Sequence, residues 1–528
     1  MISMISKSSK ITIIVANSIL LIIPFVVDVV FATPDDYFMA IFASGCYTNS
    51  PSPYMVFTHF IYGKFLSFLY YYIPNIEWYS ILQYGLGVIS FNFLLYYLIS
   101  YKIGNYLEKL SVILLITVQL CILIQPNFTI TAAELSLVSV ILLKQSKYFM
   151  SIVFFVVAFL IRSSSAFIPY MILLPLIVVP IQLRDNNYMK TIYTLLAIIV
   201  ISYGLKTYNQ FIYNENPSWK AYMEYNSYRG FINDNPSCND INLTFFHSKE
   251  KENEYELLTK HWISDGNILS ISDLEEVTVM LKEKQFKNLK KNVLNILLCY
   301  GWLGLSILLV ILFCTINLVR GKHYSELLIL HCSLLLFIVA NLYMMSRSFV
   351  KERVTICFLF SLLYVVCVIV HRNKKIISNQ IPIYALVVLF IFSYSSKLYA
   401  EVVSNQSLVS STKRIEELMD RCVSNKVVFH NNIPISMNVF HLSDNVISKK
   451  IVRIGWPNKT PHTSKYYKGF ISHTEGLPFI VSKESMSQEL FLMNNIMNSY
   501  YHQKVLVDTL LIDDKYAILA YKTKSFSL

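Results

Sequence analysis

TPDDYFMAIFASGCYTNSPSPYMVFTHFIYGKFLSFLYYY, residues Thr33 to Tyr72, follows the first long apolar run of the chain, and its reading sets the register of everything after it. It opens on two adjacent carboxylates, Asp35 and Asp36. Acids placed directly after a membrane helix sit where bilayer meets water, partly desolvated yet able to reach a substrate whose tail lies in lipid, which suits a general base. The competing reading is that Thr33 or Asp35 caps a short helix starting near Tyr37. The later part, Tyr54 to Tyr72, is apolar enough to cross a membrane but contains His59, Gly63 and Lys64. We read it as a helix lying in the interface.

Composition supports a membrane reading. Of 528 residues, 55% are hydrophobic and 15% charged, and the mean hydropathy is +0.48, whereas soluble chains carry about 25% charged residues. Apolar runs recur from Ile11 to about Ala400, so helices rather than a barrel are expected. The net charge of +12 comes from Lys and Arg clustered mostly at the ends of these runs, which reads as a topology signal and not as nucleic-acid binding. The first run, Ile11 to Phe31, lacks a small-residue cleavage site and reads as a retained anchor. Nine scattered cysteines without CxxC spacing indicate neither a structural zinc site nor a disulfide framework. Gly-rich phosphate loops and evident internal repeats are both missing from the sequence.

With Lys7 and Lys10 held in the cytoplasm, Asp35 and Asp36 face the outside. The positive-inside rule then gives about eleven transmembrane helices. After the anchor come Ile76 to Ser100, Leu110 to Ile124, Phe128 to Leu143, Tyr148 to Ile161, Phe167 to Leu183 and Thr191 to about Leu205. Val293 to Val319, Leu327 to Met345, Val354 to Val370 and Ile381 to Tyr399 complete the set. Nearly every inner turn is then basic. The expected organisation is a transmembrane domain over 1–400, with a first outside loop at 32–75 and a large one at 206–292. A small C-terminal α+β domain follows over 401–528. In the large loop, Ser272 to Glu275 has capping-box spacing and opens an amphipathic helix, basic at Lys282, Lys284, Lys287, Lys290 and Lys291, expected on the outer interface. The C-terminal part shows strand-like runs at Lys426 to His430, Pro478 to Ser482, Val505 to Ile512 and Tyr516 to Tyr521, with a helix over Ser485 to Tyr500. Its loop GWPNKTPHTSKYY, Gly455 to Tyr467, is aromatic and basic, which suits facing a sugar and an ordinary exposed loop equally, and is given no role.

A few cations fall on the wrong side of this register: Arg162 in FLIRSSSAF, and Arg347, Lys351 and Arg353 in MMSRSFVKERVT. A cation at an outer helix end is costly unless it snorkels, pairs with a carboxylate or binds an anion, and Arg makes forked contacts to phosphate. A lipid phosphate is the natural anion. Arg229, in the large loop, is a further candidate.

The acidic pair after the first span, a short helix, Gly45, the turn at Pro51 and Pro53, and a second interfacial helix together resemble the opening of the GT-C superfamily. These are polytopic glycosyltransferases that use polyprenyl-phosphate sugars. The resemblance in motif covers roughly Thr33 to Tyr79; the architecture matches over nearly the whole chain. It implies an inverting transfer in which Asp35 is the general base on an acceptor hydroxyl. Asp36 would orient the acceptor or, in members that use one, help hold a divalent cation such as Mg or Mn. The donor would be a polyprenyl-phosphate sugar such as an undecaprenyl-phosphate sugar. The acceptor would be a cell-envelope glycan or glycolipid, such as lipopolysaccharide or O-antigen. The place would be the outer face of a bacterial inner membrane. The Lys-Pro-Pro-Leu of the aminoarabinose and mannosyl branches is replaced here by Met55 to His59, so the donor sugar is not inherited, and His59 and Lys64 become candidates for the missing Lys. An O-antigen polymerase, in which Arg229 would matter more than Asp35, and a lipid-linked oligosaccharide transporter, which should show mid-span polar residues such as Glu134, are the other readings.

Overall fold

In the computed structural model, the residues described are 7–528 apart from 47, 101–104, 180–187, 262–264, 266, 285–286, 288, 290–307, 350, 374–380, 423–425, 430–437, 443–448, 454, 465, 475–476 and 524–528. The chain is a helical membrane protein. Among the described residues, six helices meet the length and composition needed to cross a membrane: α4 (Trp78–Ser100), α8 (Tyr188–Glu215), α13 (Tyr324–Arg347), α14 (Glu352–Arg372), α15 (Ile381–Cys422) and, counted as one unbroken stretch, α7 (Tyr148–Val178). Shorter apolar helices join them: α1 (Lys7–Val26), α5 (Asn105–Ile124), α6 (Phe128–Lys144) and α12 (Leu308–Arg320). Most of the eighth expected crossing, 293–307, lies outside the described residues, as do Lys290 and Lys291.

α6 is the hub. Every residue from Phe128 to Leu143 is buried, as an all-round apolar helix should be, and α7, α4 and α14 pack around it. Its hydroxyls bind its neighbours: the Ser139 hydroxyl contacts both the Ser151 carbonyl at 2.6 Å and the Tyr170 hydroxyl at 2.7 Å. Ser151 and Tyr170 would stand ~28 Å apart along a straight helix. α7 is therefore a tight hairpin, and the turn falls at Arg162, whose backbone is extended (φ −154°, ψ 98°). The two apolar segments expected on either side of Arg162 are present as the two arms, each shorter than the ~30 Å hydrocarbon core.

The first span ends early. α1 stops at Val26, and residues 27–33 run beside the α5–α6 turn, with Val30 and Ala32 N–H donating to the carbonyls of Ile124 and Pro126. This delivers α2 (Pro34–Ser44) to the N-terminus of α6. α3 (Phe60–Tyr72) has only 13 residues, ~20 Å, and shows an apolar face of Phe65, Phe68, Tyr71 and Tyr72. It is too short to cross, in line with an interfacial helix. Gly63 lies where α3 meets Pro53, and a Cβ there would stand 2.0 Å from the Pro53 carbonyl oxygen. Gly63→Ala should therefore cost at least ~1–3 kcal/mol, read as a lower melting temperature in detergent; an unchanged value would mean that α3 slides freely on this loop.

α8 runs ten residues past its expected end, to Glu215, because Asn216 is the cap that starts α9 (Pro217–Asn233). With α10 (Lys249–Glu256) and α11 (Ile271–Glu283), α9 builds a small core of its own around Tyr225, Ile232, Tyr255, Leu274 and Val277. The capping box of α11 is Ser270 with Asp273, two residues before the expected one, since Ser270 carries the extended N-cap backbone.

The C-terminal strands are β1 (Val427–Phe429), β2 (Ile451–Arg453), β3 (Phe479–Ser482), β4 (Val505–Ile512) and β5 (Tyr516–Thr523). They form one sheet in the order β2-β1-β3-β5-β4, parallel in the first half and antiparallel in the second. α16 (Met486–Ser499) packs on it through Leu492, Met493 and Ile496. α15 runs unbroken through the boundary expected at 400, reaching Cys422. The sheet region also touches the first loop directly, with Val439 N–H donating to the Val29 carbonyl and Trp456 packed against Phe38, Phe42 and Phe57.

Candidate active site

α2, α5, α6, α9 and α14 end around one cavity of about 560 Å³, and the middle of α15 lines its side. Five of the expected site residues line it: Asp35, Arg162, Arg229, Lys351 and Arg353. They come from positions up to 318 residues apart, and short-range features of the chain place each one.

Thr33 is the N-cap of α2 and Pro34 its first residue, so Asp35 and Asp36 both fall in the first turn, where the helix dipole favours negative charge. Successive residues on a helix point about 100° apart, and the two acids part company. Asp35 faces the cavity and pairs with Arg353 at 3.2 Å. Asp36 is fully buried. Its Oδ1 accepts from the Tyr79 hydroxyl (2.9 Å) and the Phe128 N–H (3.1 Å). Its Oδ2 accepts from the Thr33 hydroxyl (3.0 Å) and the Asn127 amide (3.1 Å). Burial pushes the Asp36 carboxyl up to about 7, against the hydrogen bonds from Tyr79 and Phe128 that hold it down. Asp35 thus faces the cavity, paired with Arg353, while Asp36 ties α2 to α4 and to the start of α6.

Arg162, at the α7 turn, donates to the Phe57 carbonyl at 3.2 Å and lies over the rings of Phe57 and Phe128, a desolvated cation–π setting. Lys351 pairs with Asp234 at 2.6 Å. Lys397 on α15 bridges Glu352 and Glu401. Arg229 donates through Nε and Nη2 to Asn226 Oδ1 at 3.1 and 2.9 Å. Among the described residues, neither Arg162 nor Arg229 meets a carboxylate. The cavity therefore holds excess positive charge and suits an anion.

His59, Lys64 and Arg347 do not line it. His59 caps α3: its Nδ1 accepts from the Ile61 N–H at 3.1 Å while Nε2 donates to the Leu205 carbonyl at 2.8 Å. Acceptance at Nδ1 needs the neutral ring, which burial favours by lowering the His59 pKa against the Leu205 bond. Lys64 is exposed on α3, and the Arg347 guanidinium lies over Tyr343 on its own helix, 4.9 Å from the ring centre. Sequence reasoning missed Asp234, Asn226, Asn233, Lys397, Glu401 and Trp456, all lining residues. For α9 a signal existed, because 226, 229, 230 and 233 share one helical stripe.

The acidic pair does not fit a divalent cation. Each Asp36 oxygen already accepts two hydrogen bonds, and among the described residues no group of three or more His, Cys, Asp or Glu is placed to hold a metal.

A second, apolar cavity of about 240 Å³ lies among α4, α5, α6, α12, α14 and α15. Phe360 and Tyr394 line both cavities. No family model, curated protein or solved structure matches the chain.

Proposed function

We propose that the protein is an inverting membrane glycosyltransferase, moving a sugar from a polyprenyl-phosphate donor to a glycan or glycolipid acceptor at the outer face of a bacterial inner membrane. The observation that carries this reading is a carboxylate, Asp35, standing among cations in a charge-bearing cavity that shares the wall residues Phe360 and Tyr394 with an apolar one. Such a pair of cavities fits a ligand with a charged head and a hydrocarbon tail.

In this scheme the acceptor hydroxyl attacks the anomeric carbon as Asp35 takes its proton. The bond from anomeric carbon to phosphate oxygen breaks, its electron pair leaving with the polyprenyl phosphate. Arg162, Lys351 and Arg353 offset the charge that develops on the departing oxygen. Because Arg353 is paired with Asp35 before the donor arrives, an incoming phosphate draws the guanidinium away and frees the base.

The test is to incubate the purified protein with α- and β-linked polyprenyl-phosphate sugars and an envelope glycan, and to determine the anomeric configuration of the product by NMR. Inversion with release of polyprenyl phosphate is expected. Retention, or no release from any donor, would overturn the proposal.

A further inference from the structure

The α9 wall of the cavity carries chemistry that a phosphate group leaves unused. Asn226, Arg229, Gly230 and Asn233 form a stripe along α9 and all line the cavity, while Tyr225 and Ile232 on the other side fill the core of the loop. Arg229 is 6% exposed, with Nε and Nη2 held by Asn226, and among the described residues it has no carboxylate. A buried guanidinium without a counter-charge is costly. Asn233 is 4% exposed, and neither its Nδ2 nor its Oδ1 meets a partner among the described residues. An orphaned amide in a cavity wall points to a ligand that satisfies it. Between them, a methyl group on Gly230 would stand in open space, with nothing within 4 Å. Trp456 lines the same cavity, its ring fixed edge-on against Phe38, Phe42 and Phe57.

We propose that this stripe, with Trp456, is a subsite for an acidic sugar, a ring bearing both hydroxyls and a carboxylate. The proposal rests on the glycosyltransferase reading and narrows its substrate. Asn233 needs a donor for its Oδ1 and an acceptor for its Nδ2, and neighbouring ring hydroxyls supply both. Arg229 needs an anion, and a carboxylate matches its fork. The phosphodiester of a donor presents acceptors only and leaves Asn233 Oδ1 unmet, and inorganic phosphate cannot span Arg229 and both Asn233 atoms with a ring's spacing of hydroxyls; a neutral sugar leaves Arg229 uncompensated. No α9 residue lines the apolar cavity, so the ring held here is the one on the side away from that cavity, the acceptor.

The full-length protein in nanodiscs would be titrated with methyl β-glucuronide, methyl β-glucoside and inorganic phosphate, by ligand-observed saturation-transfer NMR. The wild type should bind the glucuronide about tenfold more tightly than the glucoside. Arg229→Gln should bring the two to the same affinity. Asn233→Leu should weaken both about tenfold while raising the melting temperature, because a buried unsatisfied amide is removed. Gly230→Leu should abolish binding of both with the melting temperature kept. Equal affinity of the two glycosides for the wild type, phosphate competing as well as the glucuronide, or full binding by Gly230→Leu would each overturn the subsite. An Asp35→Asn protein must still bind the glucuronide, so a failure of transfer and a failure of the subsite are read separately.

Discussion

Asp35→Asn should lower turnover by about 10²–10⁴-fold, the usual contribution of a positioned general base, while leaving the protein folded and its donor affinity intact or improved. The improvement follows from the ion pair. Asp35 holds Arg353 at 3.2 Å, and a neutral amide releases that guanidinium for the lipid phosphate, so polyprenyl phosphate should bind severalfold more tightly. A split of this kind, kcat down and lipid affinity up, is not what a helix cap would give. The cap reading predicts a modest loss of stability with rates unchanged, and a metal-ligand role predicts weaker phosphate binding. The checking measurement is steady-state release of polyprenyl phosphate, with equilibrium binding of sugar-free polyprenyl phosphate, for the wild type and Asp35→Asn. Unchanged turnover in the variant would remove the base assignment and shift attention to a polymerase centred on Arg229.

Much of the architecture was legible because membrane helices advertise themselves through length, apolarity and the basic residues at their ends. The turn at Arg162 is the clearest case, since a lone Arg and three serines interrupt an apolar run too long for one tidy helix. Boundaries set by capping were less legible. Ser270 and Ser272 both precede an acid at suitable spacing, and only the extended backbone at Ser270 decides between them. β2 has three residues, too few for alternation to register. α15 hides its own junction, because the helix continues as its composition turns polar past Ala400.

The cavity was half legible. Cations that violate the topology rule were found, since a violation is itself a signal, and three of the four at the short outer turns, Arg162, Lys351 and Arg353, line the cavity. A polar residue in the large loop violates no rule, so Asp234 carried no mark, and Trp456 lay in an aromatic and basic loop whose composition suits a sugar and an ordinary exposed turn equally. Their role arises only when α9 and the 455–457 loop close over α2. His59 was a candidate because it stands where the resemblance places a Lys that this sequence lacks; it does not line the cavity and serves as a helix cap.

The largest structural effect is expected at Asp36, which adjacency in sequence makes look equivalent to Asp35. Four donors converge on its carboxylate, from Tyr79, Phe128, Asn127 and Thr33. Asp36→Ala strands these donors in a buried site, at about 1–3 kcal/mol for each polar group left unsatisfied, and should prevent stable folding or lower the melting temperature by many degrees. Asp36→Asn is milder. Its oxygen can still accept from Tyr79 and Phe128, but its amide then faces the Asn127 amide, donor against donor. It should lose stability and only part of its turnover, because Asp35 keeps its proton chemistry on a loosened α2. Charge adds a pH signature. The folded carboxyl titrates near 7 against 3.8 for the ordinary group, so between these values the folded state binds more protons than the unfolded one. Stability from this group is fully present below about 3.8 and is lost as pH rises through 7, a difference of about 4 kcal/mol at the order-of-magnitude level. Wild type should therefore melt at progressively lower temperature from pH 5 to pH 8 relative to Asp36→Asn, which lacks the titration. Parallel melting curves for the two proteins across that range would show that the ionised carboxylate is fully compensated by its four donors.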